Sequence, residues 1–370
     1  MEQTIFAEKV FTGEGVLNHQ LITCHNGVVT AVAPSSDNSG SQKVNYLSAG
    51  FNDIHINGGD KYYFTKTPDE ESVKDIAFSS MLLGTAYTLP TIITSPVETI
   101  FKGVEAVKKF MHNHPDAGVT GMHLEGPFLH PLKRGAHLAE YLQKPADGIL
   151  EEIIKYGKGV IKLMTIAPEL FTGKQLEMLL ASGITLSAGH SNATYEEAQA
   201  AFKKGIRLVT HLYNAMSGFG HRAPGLVGAA FDNPDVYAPV IIDGAHCDYA
   251  AARIAHKIKK EKLFLISDAL FTGDKIKHFQ WGNYDAFLKD GKYINSEGNL
   301  SGATISMGDA VRNAVNEVGI ELQEAVEMAT IRPALALGME NNTGKVKAGY
   351  PSVFTAFDES LKYFEVIRFN

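Results

Sequence analysis

Between Ala49 and Leu270 the chain alternates short apolar runs with amphipathic stretches. The runs are AGFNDIHI, TAYTLPTII, VTGMHLEG, IKLMTIAP, ITLSAGHS, RLVTHLYN, APVIIDGAH and LFLISDAL, each of strand length. Patterns of helical period fall between them, among them VEAVKKFM, YEEAQAAFKK and AARIAHKIKK. TPDE (Thr67 to Glu70), SPVE (Ser95 to Glu98) and TYEE (Thr194 to Glu197) read as capping boxes, the first two with proline at the first helical position. Eight apolar strands alternating with helices predict an α/β fold, a (β/α)8 TIM barrel. The rival, a doubly wound open sheet, usually carries a glycine-rich phosphate turn after its first strand. HINGGD (His55 to Asp60) is not G-x-G-x-x-G.

The chain ends follow a different period. TIFAEKVFTGEG and LITCHNGVVTAVAP alternate apolar and polar residues, and KVKAGYPSVFTAFD and KYFEVIRFN read as strands. They predict a small β-sandwich domain formed by residues 1–47 and 338–370, attached to a catalytic barrel over 48–337. The polar segment Ser35 to Gln42 reads as a hairpin tip.

Composition narrows the class. A chain of 370 residues with 45% hydrophobic and 20% charged residues is that of an ordinary globular protein, with a core large enough to need no disulfides. Cys24 and Cys247 are far apart and form no C-x-x-C, which fits a reducing, cytoplasmic setting and no cysteine metal site. The first residues show no signal-peptide pattern, and no apolar stretch approaches membrane-spanning length. A net charge of −7 argues against general nucleic-acid binding, though it leaves room for one basic pocket.

Barrel enzymes carry their chemistry at the C-terminal ends of the strands. Here those ends hold His55 and Asn57, then His123 and Glu125, His190, His211 and Asn214, Asp243 and His246, and finally Asp268. Such a buried cluster is costly unless its members are paired or bind a metal. Glu125, His190 and His211 supply one carboxylate and two imidazoles, the three protein ligands of a catalytic zinc site with an open position. A metal there would lower the pKa of water toward neutrality and polarise a carbonyl. Asp268 is placed to take the proton and return it to a leaving amine. The first strand ends His55-Ile56-Asn57 rather than His-x-His, and the neutral amide of Asn57 is a poor zinc ligand.

HLEGPF, RGAH (Arg134 to His137), GHSNA, THLYNAM, DGAHCD and SDA, in that order, resemble the N-acetylglucosamine-6-phosphate deacetylase family of the amidohydrolase superfamily. The resemblance covers nearly the whole chain. It implies a barrel with a small β-sandwich, a divalent metal, a homodimer, and hydrolysis of N-acetyl-D-glucosamine 6-phosphate to acetate and D-glucosamine 6-phosphate. By motif position it implies Glu125, His190 and His211 as metal ligands, Asp268 as general base and acid, and His137 as the group that polarises the acetamide carbonyl. It further implies substrate contacts at Ala136, Asn214, Ala215, Arg222, His246, Ser301, Gly302 and Ala303, with Arg222 on the phosphate. His221 before Arg222 departs from the pattern. Two-metal members carry His-x-His on the first strand and single-metal members replace both residues. With His55 but Asn57, one divalent metal per chain is expected: zinc, with Fe2+, Co2+ or Mn2+ as substitutes and His55 as the candidate for a second site.

Three other readings stand beside this one. The sugar can be the galacto epimer, since the sequence does not settle it. The bond can be a cyclic amide, whose enzymes often use a carboxylated lysine on strand four; Lys162 there sits before the apolar run. A non-catalytic binding protein would have lost Asp268 or a ligand, and all are present.

Overall fold

The computed structural model describes residues 2–36 and 41–369. In chain order the strands begin with β1 (Glu2–Phe11), β2 (Val16–His25), β3 (Val28–Pro34) and β4 (Gln42–Ala49). A central series follows: β5 (Phe51–Ile56), β6 (Thr85–Ile93), β7 (Met122–Glu125), β8 (Ile161–Ile166), β9 (Thr185–Ala188), β10 (Leu208–Val209), β11 (Ala238–Val240) and β12 (Leu263–Leu265). The last are β13 (His278–Trp281), β14 (Tyr284–Lys289), β15 (Lys292–Asn295), β16 (Val353–Phe357) and β17 (Phe364–Arg368).

The central strands are the eight apolar runs, trimmed at their ends. β5 to β10 form one parallel sheet in sequence order, and β11 pairs in parallel with β12. Parallel bridges Leu208↔Tyr237 and Ile56↔Ala269 link the two groups at both edges. All six residues of β5 are buried without alternation, as a strand covered on both faces requires. The cover comes from helices that follow the strands, such as Glu70–Met81 after β5 and Val97–Asn113 after β6. Ile92, Phe110, Met164, Leu179 and Phe264 are fully buried in the shared core. Each such side chain contributes roughly 1.5–3 kcal/mol, so the strand ends stand on a rigid base.

The chain ends meet as expected, but in one six-stranded sheet, β17-β16-β4-β1-β2-β3, rather than in two facing sheets. It has its own core, including Ile5, Val10, Ile22, Leu47 and Phe354. The expected hairpin tip at 35–42 lies partly outside the described residues. The flanking strands are not paired with each other, because β4 runs parallel to β1 while β3 lies on β2.

Only one expected capping box forms. Thr194 accepts from the Glu197 N–H, and Glu197 accepts in return from the Thr194 N–H. The helix Glu70–Met81 is capped instead by Asp69, which accepts from the Ser72 N–H. Ser95 makes no cap, since Val97–Asn113 begins after Pro96 with no side-chain partner.

One element was not anticipated. β13, β14 and β15 form an antiparallel meander inserted after β12. Asp290 and Gly291, both at positive φ, turn β14 into β15. The meander closes a separate aromatic core with Tyr63, Phe271, Phe279, Tyr284 and Tyr293. Tyr63 and Phe279 lie edge to face, with centroids 4.9 Å apart. Among the described residues no helix is long and apolar enough to cross a membrane.

Candidate active site

The polar strand ends converge as the barrel reading requires. Glu125, the last residue of β7, lies buried at the centre of four imidazoles. Its Oε1 is 3.2 Å from His190 Nε2 and 3.0 Å from His211 Nε2, and those nitrogens are 3.1 Å apart. Its Oε2 faces His55 Nε2 at 3.3 Å and His137 Nε2 at 3.5 Å.

The Oε1 trio has the dimensions of a metal site. A tetrahedral zinc with bonds of about 2.05 Å separates its ligand atoms by about 3.3 Å. The protonation pattern agrees. His190 Nδ1 lies 2.8 Å from the Lys133 carbonyl, which accepts its proton and so leaves Nε2 as a bare lone pair. Burial, with His137 alongside, holds His190 below the ordinary imidazole range, so the ring is neutral. A lone pair beside a carboxylate oxygen, with the His211 nitrogen 3.1 Å away, is an arrangement that a bound cation would satisfy. A second grouping, Glu125 with His137 and His190, also brings one ligand atom each within 4.8 Å of one another. The trio with His211 is tighter, and His137 sits on the other carboxylate oxygen.

Local structure aims these groups. His190, His211 and Asp268 leave their strands at φ of 47°, 31° and 47°, left-handed values uncommon for such residues and tolerated where the surrounding fold enforces them. Gly189, before His190, leaves no space for a side chain: a Cβ would lie 2.5 Å from Thr210 Cβ. Thr94 Oγ1 lies 2.9 Å from His137 Nδ1 and fixes that ring. Beneath the site, His123 Nε2 meets Thr165 Oγ1 at 2.8 Å, and burial holds this imidazole well below its usual range.

Asp268 joins the cluster through His55. Its Oδ1 accepts from Asn57 Nδ2 at 2.8 Å and lies 3.3 Å from His55 Nε2. Burial opposes a charge on His55, but the Asp268 and Glu125 carboxylates outweigh it and raise its pKa to about 9. The same burial works against the Glu125 carboxylate, yet the neighbouring imidazoles, His55 foremost, hold it well below the carboxylate range. Asp53, on β5, ties that strand to the end of β12. Its carboxylate accepts from Ser267 Oγ and from the His55 and Ser267 N–H groups, and burial raises its pKa to about 6.

A cavity of about 460 Å³ opens over the cluster. Of the residues expected to touch substrate, Ala136, Asn214, Ala215, His246, Ser301 and Gly302 line it. Ala303 does not. It is buried behind the wall, where its N–H donates to the Asp268 carbonyl at 2.8 Å. Arg222 and His221 are exposed and also off the wall, on a surface loop before the helix Gly225–Asp232. Sequence reading did not single out Tyr63, Lys133 and Tyr284, which also line the wall. Tyr284 comes with the unanticipated meander, and its hydroxyl donates to the Ser301 carbonyl at 3.0 Å. The Asp290-Gly291 turn signal could have found that element. Lys162 lies at the start of β8, at the opposite end from Glu125, His190 and His211, so it is not placed to bridge metals there as a carboxylated lysine would.

Residues 46–368 match the model of the amidohydrolase family, whose members depend on metal. The chain is 34% identical to the N-acetylglucosamine-6-phosphate deacetylase of Haemophilus influenzae, over 92% of this chain and 91% of that one. It is also 34% identical to the N-acetylgalactosamine-6-phosphate deacetylase of Shewanella, over 88% and 84% of the two chains. Among solved structures, the N-acetylglucosamine-6-phosphate deacetylase of Pasteurella multocida superposes with a TM-score of 0.93 at 32% identity, covering 98% of this chain and 97% of that one.

Proposed function

The chain belongs to the amidohydrolase family, and we propose that it hydrolyses N-acetyl-D-glucosamine 6-phosphate to D-glucosamine 6-phosphate and acetate in amino-sugar catabolism. The observation that carries this reading is the trio Glu125, His190 and His211 facing Asp268 across one cavity. The eight central strands are taken as one closed (β/α)8 barrel, in keeping with the two edge bridges.

The cofactor is one divalent ion per chain, zinc by the chemistry of one carboxylate and two imidazoles. When bound it supplies Lewis acidity to the acetamide carbonyl and makes water acidic near neutral pH. His55 Nε2 lies within 3.3 Å of the Glu125 and Asp268 carboxylates and would pair with both in place of a second ion, with the neutral Asn57 on Asp268. Asp268 receives the proton of the attacking water and delivers it to the departing amine. His137, fixed by Thr94, donates toward the carbonyl oxygen as charge builds there. Asn214, Ala215, Ser301 and Gly302 hold the sugar under the meander. Within this chain the phosphate is met by His246 and Lys133, the cationic wall residues outside the metal cluster, whereas Arg222 stands outside the cavity. A homodimer follows from the resemblance to the deacetylases, and the two buried free cysteines suit a cytoplasmic protein.

The Shewanella relative supports a second substrate, N-acetyl-D-galactosamine 6-phosphate, at the same identity. Steady-state acetate release from both epimers decides between them. The expected result is a higher kcat/KM for the gluco sugar. A higher value for the galacto sugar reverses the substrate assignment, and no acetate from either overturns the reading.

A further inference from the structure

We infer that Asp243 is a positioning residue for substrate capture: it holds His246 as a cation turned toward the phosphate of the bound sugar. The inference rests on the deacetylase reading for the identity of that anion. Both residues follow β11, in the motif DGAHCD. Asp243 Oδ2 lies 2.7 Å from His246 Nδ1, and both side chains are buried. The other oxygen, Oδ1, accepts from the Ala245 and His246 N–H groups at 2.8 and 2.7 Å. The carboxylate is thus fixed by the backbone of its own turn, and it in turn fixes the ring. A carboxylate can only accept, so Nδ1 carries the proton and Nε2 is left for a ligand in the cavity that His246 lines.

The charge on the ring has a clear origin. Burial works against it, but Asp243, and more weakly Asp268, raise the His246 pKa above the ordinary imidazole value, with Lys292 of β15 opposing. Burial likewise opposes the Asp243 charge, and His246 with the two N–H groups pulls that carboxyl below its usual range. A raised pKa keeps the cation present below the ordinary imidazole value and beyond it, until pH rises through the shifted value. Phosphate capture should then persist to higher pH than an unassisted histidine allows. Acting through His246, Asp243 governs binding of the anion rather than the bond-breaking step.

Asp243→Asn separates this from a merely structural role. Asparagine Oδ1 can still accept from the two backbone N–H groups, so the turn is kept. Its Nδ2 now faces Nδ1 as a donor, and the ring loses the partner that stabilised its charge. With zinc-loaded protein and N-acetylglucosamine 6-phosphate, KM is expected to rise about tenfold or more, by more than any fall in kcat. The pH at which KM climbs should move down. In a His246→Gln background, Asp243→Asn should add almost nothing to KM. Titration of the His246 ring by NMR should show a lower pKa in D243N, independent of turnover. An unchanged KM in folded D243N, the same rise in the His246→Gln background, or an unmoved ring titration overturns the inference. Absence of acetate release from the wild-type protein overturns the deacetylase reading instead, and the ring titration then decides the Asp243 assignment alone.

Discussion

Asp268→Asn is expected to lower kcat roughly a thousandfold, within the 10²–10⁴ that a general acid–base group contributes, while zinc content stays at the wild-type level. The substitution is close to isosteric. The backbone of Asp268 is fixed on both sides: its N–H donates to the His55 carbonyl at 2.9 Å, and its carbonyl accepts from the Ala303 N–H at 2.8 Å. An asparagine there keeps the left-handed turn but cannot take a proton from water or hand one to the amine. The metal trio does not include Asp268, so its occupancy gives the control. Acetate release and metal analysis on the same sample check both halves. A kcat within threefold of wild type would remove Asp268 from the proton-transfer role, and loss of zinc would move it into the ligand set.

Glu125→Gln is expected to be nearly as severe by a different route. Glu125 is the one carboxylate of the trio, and its Oε1 lies within 3.2 Å of both histidine nitrogens. A glutamine removes the negative charge that a divalent ion needs and places an N–H2 donor against one side of the cluster. Zinc affinity should fall by more than about 100-fold, the upper end of what loss of a supporting partner alone costs. Turnover should be lost at stoichiometric zinc and recovered in part at large excess. Competition with a chromogenic chelator measures the affinity. A zinc affinity equal to wild type would point to His137 as the ligand that completes the site in place of Glu125.

The parts of this molecule legible in the sequence were those fixed by periodicity and by residue type. Eight apolar runs predict eight strands because strands buried on both faces cannot alternate. The convergence of Glu125, His190 and His211 was legible because each stands at a strand end and carries a polar group that is costly to bury alone. What the sequence hid depends on three-dimensional context. β13 to β15 bury only part of each strand, so their apolar signal is diluted by exposed polar residues such as His278, Gln280 and Lys289. The left-handed turns at His190, His211 and Asp268 carry no glycine to announce them. Asp243 was visible at its strand end, but its partner is set by a tight turn that spacing alone does not reveal. Arg222, expected on the phosphate by motif position, lies on an exposed loop off the wall of its own chain's cavity, a placement that motif order does not reveal. Thr67 and Ser95 show the same limit at small scale: the box pattern was present, but Asp69 and Pro96 fixed the helix starts one or two residues later.

The central claim is a single catalytic metal held by Glu125, His190 and His211, with His55 and Asn57 in place of a second. It is tested most directly by stripping the metal and following acetate release from N-acetylglucosamine 6-phosphate as zinc is added back. The account predicts activity that rises linearly and saturates at one equivalent per chain. Saturation at two equivalents would contradict it, since His55 would then be a ligand and not the group that fills the gap between the Glu125 and Asp268 carboxylates.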